Sequence, residues 1–122
     1  MALTQFAMII KRLGYDPAIH RASFDLPDFS TTIVCVSSLE QAIAVAQELV
    51  QQGVQLIELC GGFTPEQTSA IHDSIERQVP VGIVRYSFEE QQKLALLFSN
   101  PTPNPALNRT QQPRSGSIPH AL

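Results

Sequence analysis

Glu58, Cys60, Gly61 and Gly62 place an acid, a thiol and a glycine pair within five residues, at the end of the apolar run 54–60. A carboxylate can give or take a proton, and an ionised thiol is a nucleophile. Two glycines let a ligand come close to the backbone. Thr64-Pro65-Glu66-Gln67 follows at once and reads as a helix start. In an open parallel α/β sheet, the passage from strand end to helix start is where ligands bind.

Each of these residues also has a structural reading. Glu58 interrupts a strand that otherwise reads as fully buried, and a buried carboxylate is costly unless paired. It is expected to form an ion pair with Arg85, to act as a general acid or base, or to meet solvent or a subunit interface. Cys60 precedes a helix N-terminus, a place that stabilises thiolates. As a nucleophile it needs a base, and His20 or Glu58 could serve; His72 falls mid-helix and is expected to be exposed. Otherwise Cys60 is a small buried apolar residue. On the nucleophile reading it reacts with alkylating agents faster than Cys35, which is expected to lie mid-strand in the core. Gly61-Gly62 is not a phosphate-loop motif, because GxGxxG and the P-loop lysine are both missing. No cofactor motif and no metal-ligand spacing of Cys or His occurs.

The elements that must position these residues are legible as alternating patterns. Residues 5–10 are a short apolar run, read as a strand. Lys11-Arg12-Leu13-Gly14 closes it. Asp16-Pro17 resembles a helix cap, so 17–23 is expected to make one or two helical turns, and 24–30 a loop. Residues 31–36, TTIVCV, are β-branched and form the next strand. Ser38-Leu39-Glu40-Gln41 has the spacing of a capping box. Leu39, Ala42, Ile43, Ala46, Leu49 and Val50 then recur at helical period, and Gly53 stands where a helix ends. A strand over 54–60, a helix from Thr64, a strand over 79–86 and a helix from Ser87 to Asn100 complete the chain.

Continuous apolar strands alternating with helices define the class as α/β. The expected architecture is one small layered domain over residues 1–100, with about four mostly parallel strands and helices on both faces. If 22–26 pairs as an extra strand, a ferredoxin-like α+β fold is the alternative. Residues 101–122 hold five of the nine prolines and no aromatic residue. They are expected to be a disordered tail, since they cannot bury enough apolar surface to offset ordering.

Parallel strands end on one rim. There the chain would gather Lys11 and Arg12, Ser37 and Ser38, Cys60 to Gly62, Thr64 and Arg85, with three helix N-termini. Each N-terminus carries about half a positive charge. The rim therefore suits a small anion. The first hundred residues hold 6 basic and 11 acidic side chains, a balance of −5. That acidity, with no basic stripe, argues against nucleic acid. Charged residues are only 16% of the chain, which favours self-association as a homodimer. No signal peptide or membrane span is legible, and two unpaired-looking cysteines suit a reducing compartment, so the expected location is the cytoplasm.

LGYDP with His20-Arg21, then VSSLEQA, LIELCGGF and VPVGIVR, resembles a family of small uncharacterised bacterial proteins, the domain of unknown function numbered 6506. The resemblance spans about 5–99 and departs at Lys11-Arg12-Leu13, where smaller residues are expected. It implies a compact α/β domain and marks His20, Arg21, Glu58, Cys60 and Gly61 as matching positions. It implies no activity.

Three functions are compatible with these residues. One is a binding module for an anionic metabolite, using Arg21, Ser37, Ser38, Gly61, Gly62, Thr64, Arg85 and His20. Another is an oligomerising protein without a ligand. The third is a small enzyme using Cys60 with His20 or Glu58.

Overall fold

The computed structural model describes residues 2–99, which divide after Val84 into two compact units. The first unit contains β1 (Gln5–Lys11), β2 (Arg21–Leu26), β3 (Phe29–Val36), α1 (Leu39–Gln51), β4 (Leu56–Leu59), α2 (Pro65–Ser74) and β5 (Val81–Ile83). The second contains α3 (Phe88–Ser99). The fold class is α/β, with five strands where the sequence patterns imply four. The proline-rich tail lies outside the described residues.

The sheet order is β2-β3-β1-β4-β5. β1, β3, β4 and β5 run parallel, and β2 is antiparallel to β3 at the edge. The extra strand corrects the reading of residues 17–30. The Asp16 cap is real, with Ala18 N–H donating to Asp16 Oδ1 at 2.9 Å, but it serves a single turn. Ile19 and His20 N–H donate to the Asp16 carbonyl at 3.0 and 2.7 Å, and the chain then extends into β2. The expected loop is a hairpin, because Leu26 pairs with Phe29 across Pro27-Asp28. Proline pre-sets the first central position of such a turn, and aspartate suits the second. Every residue of β2 is exposed, so no burial pattern announces it. The added strand does not produce the ferredoxin-like alternative. That fold needs a helix between the first two strands, and here β1 is central and flanked by parallel neighbours.

Register explains the core. Ile9 lies beside Val34 on one side and Leu59 on the other. Ala7, Ile9, Val34, Val36, Ile57 and Leu59 are 0% exposed. They belong to one cluster with Ala42, Val45, Ala46 and Leu49 of α1 and Ile71 of α2. Both helices therefore cover the same face of the sheet. Helices on both faces are met, within this unit, on one face only. Strand alternation sends Met8, Ile10, Ile33, Cys35, Leu56 and Glu58 to the other face. There Met8, Ile10, Ile33, Cys35 and Leu56 are half-buried and Glu58 is exposed.

Helix α1 ends as its glycine implies. Gly53 has φ +97°, its N–H reaches the Val50 carbonyl at 3.0 Å, and Val54 N–H reaches Leu49 at 3.0 Å. This pair of bonds satisfies carbonyls the helix leaves open, and a left-handed backbone at that point costs glycine nothing. In the second unit, Phe88, Leu96, Leu97 and Phe98 of α3 are exposed. Ser87 Oγ receives the Glu90 N–H at 3.4 Å, a long contact at its expected start.

Candidate functional site

The strand-end rim exists, and its centre lies between β1 and β4. These neighbours are parallel, but the chain leaves β1 toward β2 and β3, and leaves β4 toward β5. That divergence is a topological switch point, where open α/β sheets form a crevice. Lys11 and Arg12 stand on one lip, and Cys60, Gly61 and Gly62 on the other.

Cys60 stitches the two lips together. Its sulfur accepts the Lys11 N–H at 3.3 Å and the Gly62 N–H at 3.4 Å, while its own N–H donates to the Ile9 carbonyl at 3.1 Å. The residue is 2% exposed. Gly62 is a consequence of this closeness. A Cβ there would lie 3.2 Å from the Lys11 carbonyl oxygen and 3.4 Å from the sulfur. Gly61, by contrast, is exposed on the lip.

The helix starts are capped by the chain's own side chains. At α1, Ser38 Oγ accepts the Gln41 N–H at 3.1 Å, and Gln41 Oε1 accepts the Ser37 N–H at 2.8 Å and its hydroxyl at 3.0 Å. At α2, Thr64 Oγ1 accepts the Gln67 N–H at 3.1 Å and Gln67 Oε1 accepts the Thr64 N–H at 3.0 Å, a reciprocal capping box. The same Gln67 oxygen accepts Lys11 Nζ at 3.3 Å. The ammonium also lies 5.3 Å from the centre of the Phe63 ring. A cation is thus held at the first turn of a helix, where the backbone already presents partial positive charge.

The remaining candidates lie apart from this centre. His20 is exposed at the start of β2, with Nδ1 accepting the Asp16 N–H at 2.9 Å and the ring edge-on to Tyr15. Its strand is three positions from β4, about 14 Å at the usual strand spacing. Arg21 is engaged by Glu48 of α1 at 2.8 Å, and its Nε donates to the Pro17 carbonyl at 2.7 Å. The hydrogen bond to Glu48 holds the arginine above its ordinary pKa and the Glu48 carboxyl below its own.

Glu58 corrects the reading of β4 as fully buried. It is exposed, with Met8 and Gly82 as register partners, and takes part in none of the three ion pairs among the described residues. Arg85 opens the second unit and is exposed. His72 is half-buried, with Nε2 3.1 Å from the Val79 carbonyl. Burial pushes the Cys35 thiol up, and the Cys60 sulfur adds to that. Among the described residues, no group of three His, Cys, Asp or Glu could hold a metal, and no helix is long and apolar enough to cross a membrane.

Sequence spacing does not bring Gln67 and Phe63 to Lys11. The capping boxes are legible, but the contact across the crevice depends on β1 and β4 being neighbours.

Taken together, these features define an α/β domain with a mixed sheet, one helix-covered face and a capped strand-end rim. The chain belongs to the family of unknown function DUF6506, whose model matches residues 4–99. No curated protein and no solved structure matches it.

Proposed function

We propose that this domain binds a small anionic metabolite, a phosphate or carboxylate, at the switch point between β1 and β4. The observation that carries the reading is the placement of Lys11. Its ammonium sits at the start of α2, where an anion would be attracted by both the side chain and the helix end. Arg12 is exposed on the same lip, and Gly61 leaves the facing backbone open to approach. Ser37, Ser38 and Thr64 shape the site by fixing the two helix starts. Arg21 and His20 hold the outer edge of the sheet instead, through Glu48 and the Asp16 turn.

A thermal-shift screen of phosphorylated and carboxylated metabolites tests this. A ligand at a hundredfold excess over its dissociation constant adds about 2.7 kcal/mol. For a domain this small that is a rise of roughly ten degrees or more in melting temperature. Lys11→Met is expected to keep the fold and lose most of the rise. Silence across a broad panel, or an undiminished rise in that variant, would sink the reading.

A further inference from the structure

We infer that Gln67 is the residue that keeps the β1–β4 rim receptive to an anion. As a neutral amide it caps α2 without cancelling the Lys11 charge, and it sets its own NH2 group beside that charge as a second donor. The inference rests on the anion-binding reading above and assigns a specificity-determining residue within it.

The orientation of this amide is fixed by its neighbours. Gln67 Oε1 accepts the Thr64 N–H at 3.0 Å and the Lys11 ammonium at 3.3 Å. Both partners are donors with no acceptor capacity, so the oxygen must face them and the NH2 group must turn away. The two ends of a planar amide lie side by side, which leaves Nε2 next to the Lys11 ammonium. Among the described residues, no hydrogen bond of the protein uses Nε2. An oxygen of a carboxylate or phosphate that meets Lys11 therefore finds a second donor at hand, and hydrogen bonds to an ionised acceptor are the strong ones.

The choice of residue type matters as much as its geometry. A capping box is completed equally well by glutamate or glutamine. Glutamate at position 67 would put a carboxylate where the amide oxygen now touches Lys11, and the cation would be paired within the chain. With glutamine, both contacts of the ammonium, the amide oxygen and the Phe63 ring, carry no net charge. Lys11 enters none of the three ion pairs among the described residues. Glu66, the acid of this first turn, is exposed and enters none either. The positive charge at the start of α2 is thus held in place but left uncompensated.

Gln67→Glu separates the capping role from the receptive one. Its melting temperature without ligand is expected to match or exceed that of the wild type, because the box is kept and a negative charge suits a helix start. The probe is inorganic phosphate, titrated on the full chain against sodium chloride of equal ionic strength, with any stabilising metabolite run alongside. Phosphate is expected to raise the wild-type melting temperature, and that rise is expected to fall in Gln67→Glu to the level of Lys11→Met. Gln51→Glu adds the same charge on the exposed last turn of α1 and is expected to respond as the wild type does. Gln67→Ala serves if Gln67→Glu does not fold. It loses the box and the NH2 donor but adds no charge, so it is expected to start from a lower melting temperature and to show a reduced rise. An undiminished rise in either Gln67 variant, or an equal loss in Gln51→Glu, overturns the inference and leaves the anion-binding reading standing. The same holds if a metabolite stabilises the wild type through Lys11 while phosphate does nothing. Silence of the wild type toward every anion removes the reading, and this inference with it.

Discussion

Ile9 and Ile10 are consecutive residues of one strand and meet different worlds. Ile9 is 0% exposed, packed between Val34 and Leu59 beneath α1 and α2. Ile10 pairs with Cys35 on the face that neither helix covers, and is half-buried. The chemistry of the two side chains is identical. The difference comes from the crossovers, since both β3-α1-β4 and β4-α2-β5 place their helices on one side. The lesson is that a continuously apolar strand need not be covered on both faces by the helices of its own crossovers.

The sharpest way to break this comparison is a matched pair of truncations. Ile9→Ala is expected to cost about 2–5 kcal/mol by removing buried methylenes and leaving a cavity. Ile10→Ala is expected to cost markedly less in dilute protein. Urea denaturation of both variants measures the gap, and equal losses would erase the distinction between the faces.

Next in size is Gly62→Ala, which asks whether the strand-end rim is as tightly packed as the covered face. The new Cβ must push against the Lys11 carbonyl and the Cys60 sulfur, at an expected cost of about 1–3 kcal/mol. Full stability in that variant would mean the lips have room to separate.

A smaller effect comes from Arg21→Ala, which releases the edge strand from α1. The ion pair is about one-third exposed on each side, so solvent screening limits its loss to about 0.2–1 kcal/mol. Its pH dependence has a definite sign. Glu48 is held below its ordinary pKa by the Arg21 hydrogen bond. The stabilisation is full above the unfolded glutamate value of about 4.3 and is lost as pH falls through the lower folded value. The gap between wild type and variant should therefore close on acidification, as melting curves at neutral and acid pH would reveal. A gap that widens would contradict the pairing.

The least perturbing test uses the two native thiols, one in the core and one on the sheet face opposite α1 and α2. Cys60 is 2% exposed and Cys35 is half-buried. In dilute native protein Cys35 is expected to react with iodoacetamide before Cys60, and both more slowly than in the unfolded chain, Cys35 being held back by its raised pKa. This reverses the order implied by the position of Cys60 before a helix start. Mass mapping of the labelled sites decides it.

Local patterns specified much of this molecule. The helical stripe from Leu39 to Val50, the cap at Ser38, the box at Thr64 and the glycine after α1 each act within a few residues, so spacing alone placed them. The strands at 5–11, 29–36 and 56–59 are legible as the apolar or β-branched runs 5–10, 31–36 and 54–60, with ends shifted by one or two residues. β2 was legible only as the alternative strand over 22–26, because an edge strand with every residue exposed carries no burial period, and the flanking Asp16-Pro17 and Pro27-Asp28 look like loop punctuation. Nor could sequence choose among the alternatives for Glu58, of which the structure meets the solvent-facing one. Its environment depends on which face the helices take, and that is set by strand order. The same holds for the site. Lys11 and Cys60 are forty-nine positions apart, and Gln67 is farther still. Sequence determined which residues cap, turn and alternate, because those are short-range preferences of backbone and side chain. Only the tertiary structure decided that β1 lies beside β4, that the Cys60 sulfur is consumed in joining them, and that α1 and α2 share one face of the sheet, because these follow from pairings between segments that no local spacing encodes.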